Sequence, residues 1–158
     1  GNHINMGAGN PNPFTNTGTI NFVDGDTGDS LSLVGNFSGT GTVAFDVDTP
    51  TQTADKLVIQ GDVVGGQTTV DVVLAGEPKA LHTSVELVNV SGTASPDAFV
   101  LGTLSGIAES FLTFDYTLFP NPSDAGVSLG YAMNRLWWGH DRTDPRWGPI
   151  FDALYACL

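Results

Sequence analysis

Short runs of alternating apolar and polar residues occupy most of this chain. Between residues 17 and 118 the alternating apolar positions include Ile20 and Phe22, Leu31 and Leu33, Val43, Phe45 and Val47, Leu57 and Ile59, and Val70 and Val72. Because successive side chains of a strand point to opposite faces, a period of two predicts strands that each bury one face. No stretch of helical periodicity and useful length interrupts these runs. The sequence therefore predicts an all-β fold.

Turns rich in glycine and aspartate separate the predicted strands. Examples are Asp24-Gly25-Asp26, Gly39-Thr40-Gly41 and Gly65-Gly66. Glycine readily takes the positive φ that tight corners need. The 20 Gly and 9 Pro of the chain suit strands and turns better than helices.

A seven-residue unit occurs twice, and a shorter form of it occurs a third time. Two segments share the pattern Asp-x-Leu-x-aliphatic-x-Gly, and a third repeats only aliphatic-x-aliphatic-x-Gly. The defining positions are Asp29, Leu31, Leu33 and Gly35, then Asp55, Leu57, Ile59 and Gly61, then Val88, Val90 and Gly92. The copies recur at intervals of roughly 30 residues and consist of strands and turns. Such a repeat favours a β-solenoid, in which each rung buries its inward side chains against the next. A β-sandwich is the alternative, because its strands also recur with turn signals between them.

The chain divides by composition into three parts. Residues 1–16 are Asn, Gly and Pro around few apolar side chains, which predicts a loop or frayed end. Residues 17–134 carry the predicted rungs and a C-terminal cap. Residues 135–158 differ, since they hold all three tryptophans, and they are interpreted as a short helix or as a non-native extension.

Charge and cysteine content narrow the classes of function. The 17 acidic residues against five Lys and Arg give a net charge of -12, which disfavours nucleic acid as a partner. Cys157 is the single cysteine, so an internal disulfide is impossible. No apolar run has the length of a membrane-spanning helix, and residues 1–14 lack the pattern of an export signal. We therefore expect this segment not to insert into a membrane.

Candidate chemistry in the sequence is weak, and we predict no catalytic, cofactor-binding or metal-binding residue. Asp24 to Asp29 place three carboxylates near two glycines and could wrap calcium, but a solvated turn is the simpler interpretation. Asp46 and Asp48 could serve glycoside hydrolysis, yet they lack a convincing partner, and outward polar strand positions explain them. The histidines His3, His82 and His140 do not have the spacing of a zinc site.

The region from Gly28 to Leu118 resembles the C-terminal passenger region of pertactin-like bacterial autotransporters. The likeness is distributed over several segments in the order of the family. These are Asp29 to Gly35, Thr53 to Asp62, Val85 to Gly92 with Leu87 and Val88, Ala98 to Leu101 with Phe99, and Phe114 to Leu118 with Tyr116. The sequence departs from the family pattern after about Asn134.

This resemblance implies a right-handed parallel β-helix and a role without chemistry. The corresponding region of the family is an autochaperone, which folds first at the cell surface and caps the helix. Implied partners are upstream β-helix rungs and a downstream outer-membrane β-barrel of the same parent chain. The implied location is the bacterial cell surface. Two alternatives remain at this point: an adhesin-type module that binds a host glycan or protein, and a polysaccharide-active β-helix enzyme.

Overall fold

The computed structural model describes residues 1–7, 12–79, 82–106, 112–121 and 123–136. These residues form strands and turns without a helix. The strands are β1 (Asn2–Asn5), β2 (Phe14–Asn16), β3 (Thr19–Asn21), β4 (Ser30–Val34), β5 (Phe37–Gly39), β6 (Thr42–Asp48), β7 (Thr53–Ala54), β8 (Lys56–Gln60), β9 (Thr68–Ala75), β10 (His82–Val90), β11 (Phe99–Ser105), β12 (Leu112–Pro120) and β13 (Val127–Leu136).

Most strands stack in parallel ladders, one rung above another. The first ladder runs β1-β4-β8-β10, and another runs β3-β6-β9-β11. A short ladder between them joins β2 to β5 and continues through a parallel bridge from Phe37 to Val63. The chain visits the three ladders in turn and completes about three turns. This is a parallel β-helix, which confirms the predicted solenoid and excludes the antiparallel β-sandwich.

The three copies of the sequence repeat lie side by side in the first ladder, with equivalent positions paired. Leu31 pairs with Leu57, and Leu57 pairs with Val88. Two residues further along, Leu33, Ile59 and Val90 occupy one column and are almost fully buried. Equivalent residues of the repeat therefore contact one another directly, as inward positions of a solenoid should.

Aromatic side chains stack inside the helix along its axis. The ring centroids of Phe14 and Phe37 are 6.2 Å apart, and those of Phe37 and Phe99 are 6.4 Å apart. Phe22 and Phe45 stack at 5.3 Å. Phe37 and Phe45 are fully buried. The alternating aromatics thus form core, as the strand pattern predicts.

The glycine that ends each repeat lies where successive turns approach most closely. A side chain on Gly61 would overlap the backbone carbonyl of Gly35, and one on Gly92 would meet the carbonyl oxygen of Gly61 at 2.6 Å. Only a residue without Cβ fits such a corner. The recurrence of glycine at the end of the unit therefore reflects a steric requirement of stacking.

Replacing Gly61 by Ala is expected to lower the free energy of unfolding by about 1–3 kcal/mol, because the new Cβ displaces backbone of the preceding turn. Urea denaturation of the purified chain measures this. Gly18→Ala is the matched control, since a Cβ at Gly18 meets nothing within 4 Å and its change should lie within about 0.5 kcal/mol. Equal effects of the two substitutions would contradict the steric explanation.

Residues 1–16 differ from the predicted loop or frayed end in two segments. β1 pairs in parallel with β4, and β2 pairs in parallel with β5. The backbone amide of Met6 also donates to the carbonyl of Val34 at 2.9 Å. Ladder hydrogen bonds come from the backbone, so a segment with few apolar side chains can still form a strand when a neighbouring rung is present.

The parallel ladder ends at β10, which has two different partners. Its last three residues, Val88 to Val90, run parallel to β8. Its first half, from His82 to Glu86, runs antiparallel to β13. β13 in turn pairs antiparallel with β12, so the two strands form a hairpin that extends the sheet beyond the last rung. Of the predicted atypical tail, 135 and 136 end β13, and 137–158 lie outside the described residues.

Candidate functional site

Two polar clusters occur inside or against the core of the β-helix. We name the first, Asp46 and Asp55 with the turn at residues 24–29, the carboxylate corner. We name the second, which comprises Lys56, Glu86, Asn89, Asn121, Asp124 and Ser128, the hairpin lock. No buried polar side-chain atom in the described part of the chain lacks a hydrogen-bond partner, so both clusters are internally satisfied.

Asp55 is fully buried at the carboxylate corner and accepts three backbone hydrogen bonds. Its Oδ1 accepts from the amides of Gly28 and Asp29 at 3.0 Å each, and its Oδ2 accepts from the amide of Asp46 at 2.8 Å. Burial raises the pKa of this carboxyl more than the three amides lower it, and the nearby Asp46 charge raises it further. The carboxylate joins its own turn of the helix to the preceding one.

Asp46, at the same corner, also binds backbone amides of the preceding turn. It is 4% exposed, and its Oδ2 accepts from the amides of Asp24 and Gly25 at 2.8 Å each. The sequence assigned Asp46 to an outward polar strand position, and the structure shows that this position is covered by neighbouring segments. β7 folds back antiparallel on the end of β6, and the preceding turn lies against the carboxylate, so solvent is excluded.

The turn from Asp24 to Asp29, a candidate calcium loop in the sequence, is held by these two carboxylates. Both bind its backbone amides, which turn their positive ends toward the acids. Within the described ranges, no three His, Cys, Asp or Glu side chains are grouped as ligands for a metal ion. The hydrogen bonds of this segment are those of a turn whose amides are bound by two carboxylates.

A second corner carries an outward chain of side-chain-to-backbone hydrogen bonds. Asn36 Oδ1 accepts from the amide of Asp62 at 3.0 Å, and Asp62 Oδ1 accepts from the amide of Thr93 at 2.7 Å. The Thr93 hydroxyl also donates to Asp62 Oδ1 at 3.0 Å. The Thr93 amide, and then its hydroxyl, lower the pKa of Asp62. Each residue thereby positions the equivalent corner of the next turn.

The hairpin lock centres on Asn121, which is 7% exposed and follows β12. Its Nδ2 donates to the carbonyl of Val88 at 2.9 Å and to Asp124 Oδ1 at 3.0 Å, and lies 3.4 Å from Glu86 Oε1. Its Oδ1 accepts from the Ser128 hydroxyl at 2.5 Å. One side chain therefore ties both strands of the hairpin to β10.

Asp124 accepts hydrogen bonds from the turn between β12 and β13 and from β10. Its Oδ1 accepts from the amides of Gly126 at 2.6 Å and Val90 at 3.3 Å, and its Oδ2 accepts from Asn89 Nδ2 at 3.0 Å. Burial raises the pKa of Asp124, but the hydrogen bonds from Asn121, Gly126, Val90 and Ser123 together outweigh it and lower the pKa.

Glu86 connects the lock to the preceding rung. Its Oε2 lies 2.7 Å from Lys56 Nζ on β8, and its Oε1 accepts from Asn89 Nδ2 at 3.3 Å. Glu86 precedes Val88 by two residues, as Asp55 precedes Leu57 in the repeat. At the last rung, the repeat's acidic position therefore contacts the hairpin as well as the preceding rung.

Tyr131 reaches across the helix from β13. It is 3% exposed, and its hydroxyl donates to the carbonyl of Thr49 at 3.2 Å. Its ring lies 5.8 Å from that of Tyr116 on β12. Burial raises the pKa of both phenols, and the neighbouring Tyr131 adds to the effect at Tyr116. The hairpin thus contacts an earlier turn as well as the last rung.

The residues singled out from the sequence fall into two groups. The core holds Leu87, Phe99 and the repeat positions Leu33, Leu57, Ile59, Val88 and Val90, whereas Leu31, Tyr116 and Leu118 are half-buried. Sequence reasoning missed the lock residues Glu86, Asn121, Asp124 and Ser128. A signal for them exists: Asn121 to Gly126 has turn composition and stands between two alternating strands, which is typical of a hairpin.

Among the described residues, no helix has the length and apolar character needed to span a membrane. The class of protein is defined by the fold: a parallel β-helix that ends in an antiparallel hairpin. A family model described as Pertactin matches residues 16–129, more than half of the chain. The chain therefore belongs to the pertactin family, the family of autotransporter passengers that its sequence resembles. No curated protein and no solved structure matches it.

Proposed function

We propose that this chain is a non-catalytic folding and capping module of an autotransporter passenger, which nucleates and closes the β-helix at the bacterial surface. Its partners in this role are upstream rungs and a downstream membrane anchor of the same parent chain. The observation that carries the proposal is the hairpin of β12 and β13, which pairs with the first half of β10 and is fastened by the hairpin lock.

An end of a parallel ladder exposes unpaired backbone groups that invite association with other molecules. Here β13 takes up the hydrogen-bonding edge of β10 from His82 to Glu86. Gly126, Val127, Ser128 and Leu129 are buried where the hairpin meets the helix. The hairpin therefore has the properties of a cap: it satisfies the edge and seals the core beneath it.

The carboxylate corner supports growth from the capped end toward earlier turns. The turn at residues 24–29 depends on acceptors from Asp46 and Asp55, which lie one turn later in the chain. An earlier turn therefore reaches its final form only when the later turn is already folded. Half-buried Ile4 and Phe14 in the first turn offer apolar contact to a further rung upstream.

Substituting Asn121 by Ala is expected to slow refolding about tenfold, because an interaction made in the folding nucleus acts on the folding rate. The substitution leaves the Val88 carbonyl and the Ser128 hydroxyl without their partner in a buried site. Stopped-flow circular dichroism after dilution from urea at pH 7 measures the rate.

Phe22→Ala is the control for this experiment, since Phe22 stacks on Phe45 in the first turn, far from the hairpin in the stacking order. It should mainly accelerate unfolding and leave the folding rate within about twofold of the wild type. If Asn121→Ala changed only unfolding and Phe22→Ala slowed folding, the nucleus would lie in the first turn and the proposal would fail.

A further inference from the structure

The hairpin lock contains two carboxylate acceptors, Glu86 and Asp124, which bind their donors most strongly when they are ionised. We propose that it is an acid-sensitive catch: at low pH the hairpin detaches from β10 while the parallel rungs stay folded. The inference rests on the proposed function only in treating the hairpin as the cap. It concerns the chemistry of the lock and holds whether or not the hairpin folds first.

Asp124 is bound by four N–H donors and by the Ser123 hydroxyl. Two backbone amides, from Val90 and Gly126, and two side-chain amides, from Asn89 and Asn121, converge on its two oxygens. A proton added to this carboxyl faces four N–H groups, and the Ser123 hydroxyl is the one described neighbour able to accept it. Protonation therefore both weakens charge-assisted hydrogen bonds and places two donors against each other.

Glu86 is bound by N–H donors as well. Its carboxylate binds the Lys56 ammonium on β8, the Asn89 amide on β10 and the Asn121 amide of the hairpin. Asn89 and Asn121 each contact both carboxylates. The lock is therefore two anions bridged by two amides and balanced by one ammonium group, and its described side chains include no other titratable residue. β13 contributes the Ser128 hydroxyl, which does not titrate in this range.

The direction of the response follows from the hydrogen bonds of Asp124. They lower its pKa in the folded protein relative to the unfolded chain, so its contribution to stability is present above pH 3.8 and is lost as pH falls through the lowered value. The corner behaves in the opposite sense. Asp55 has a pKa raised by burial, so the pH-dependent part of its contribution is greatest in acid and is lost as pH rises through the raised value, whereas its three amide hydrogen bonds remain.

These opposite responses separate the two polar clusters along the molecule. Acid weakens the contacts that fasten the hairpin but does not disfavour Asp55, which joins the earlier turns. Tyr131 retains its hydrogen bond to Thr49, because a phenol stays protonated in acid. The hairpin is therefore expected to open first at the turn that carries Asp124.

Hydrogen exchange read by mass spectrometry on the whole chain at pH 7 and pH 3 tests the proposal. After correction for intrinsic exchange rates, peptides covering β13 and residues 121–126 should lose protection about tenfold more than peptides covering β4, β8 and β9. Loss of protection to the same extent in all of these peptides, or greater loss in the rungs, would overturn the proposal.

An Asp124→Asn variant provides the matched control. Its residue 124 does not ionise, so its hairpin should exchange faster than that of the wild type at pH 7 and show a smaller further selective loss at pH 3 than the wild type. A hairpin that retained the full pH response in this variant would assign the effect to other groups and refute the catch. The refolding-rate experiment at pH 7 is independent, so failure of one proposal is distinguishable from failure of the other.

Discussion

Replacing Phe37 by Ala is expected to lower the free energy of unfolding by about 3–5 kcal/mol, the range for truncating a fully buried aromatic side chain. Phe37 is 0% exposed and lies between the rings of Phe14 and Phe99, so its loss leaves a cavity bounded by three turns. In a solenoid each rung contacts only its neighbours, and a cavity in a middle rung therefore weakens both of its interfaces. Urea denaturation followed by circular dichroism provides the measurement.

Phe14→Ala is the comparison for this substitution. Phe14 belongs to the same aromatic stack, but it is only half-buried in the first turn. Its removal should cost about 1–2 kcal/mol, because part of its surface is already in contact with water. If the two substitutions had equal effects, stability would not depend on stacking through the middle rung.

The alternation of apolar residues and the repeat were enough to predict the core of this molecule. Leu33, Ile59 and Val90 share one buried column because a period of two fixes the face and the repeat fixes the register. The glycine at the end of the unit could be predicted for the same reason. These features depend on residues close in sequence or at a regular interval.

The polar clusters could not be predicted in this way. Glu86 and Asn121 are 35 residues apart in the sequence, and their contact depends on an antiparallel hairpin added to a parallel ladder. Asp46 has the alternation of an outward residue, yet a short returning strand buries it. Local patterns report which face a residue has within its own strand. They do not report what covers that face.

The clearest case of this limit is the aspartate of the repeat. Asp29 and Asp55 occupy the same position of the same motif, but Asp29 is exposed and Asp55 is fully buried. The difference lies in the neighbouring turn: residues 28 and 29 place their amides on Asp55. A single sequence assigns the two residues one role, whereas the stacked turns give them different ones.

Substituting Asp55 by Ala is accordingly expected to cost about 3 kcal/mol or more, since the amides of Gly28, Asp29 and Asp46 lose their acceptor in a buried site. The same change at Asp29 should lie within about 0.5 kcal/mol, because its side chain is exposed. The two variants carry the same chemical change at equivalent repeat positions. Urea denaturation at pH 7 compares them.

Asp55→Asn separates charge from shape at this corner. An asparagine keeps one acceptor oxygen but turns an NH2 group toward an amide, so it should lose more than half of the stabilisation that Ala removes. If Asp29→Ala and Asp55→Ala were equally destabilising, the aspartate of the repeat would stabilise only its own strand. A later turn would then not be shown to position an earlier one. If only Asp55→Ala is destabilising, a folded later turn positions the turn that precedes it, from the capped end toward the earlier rungs.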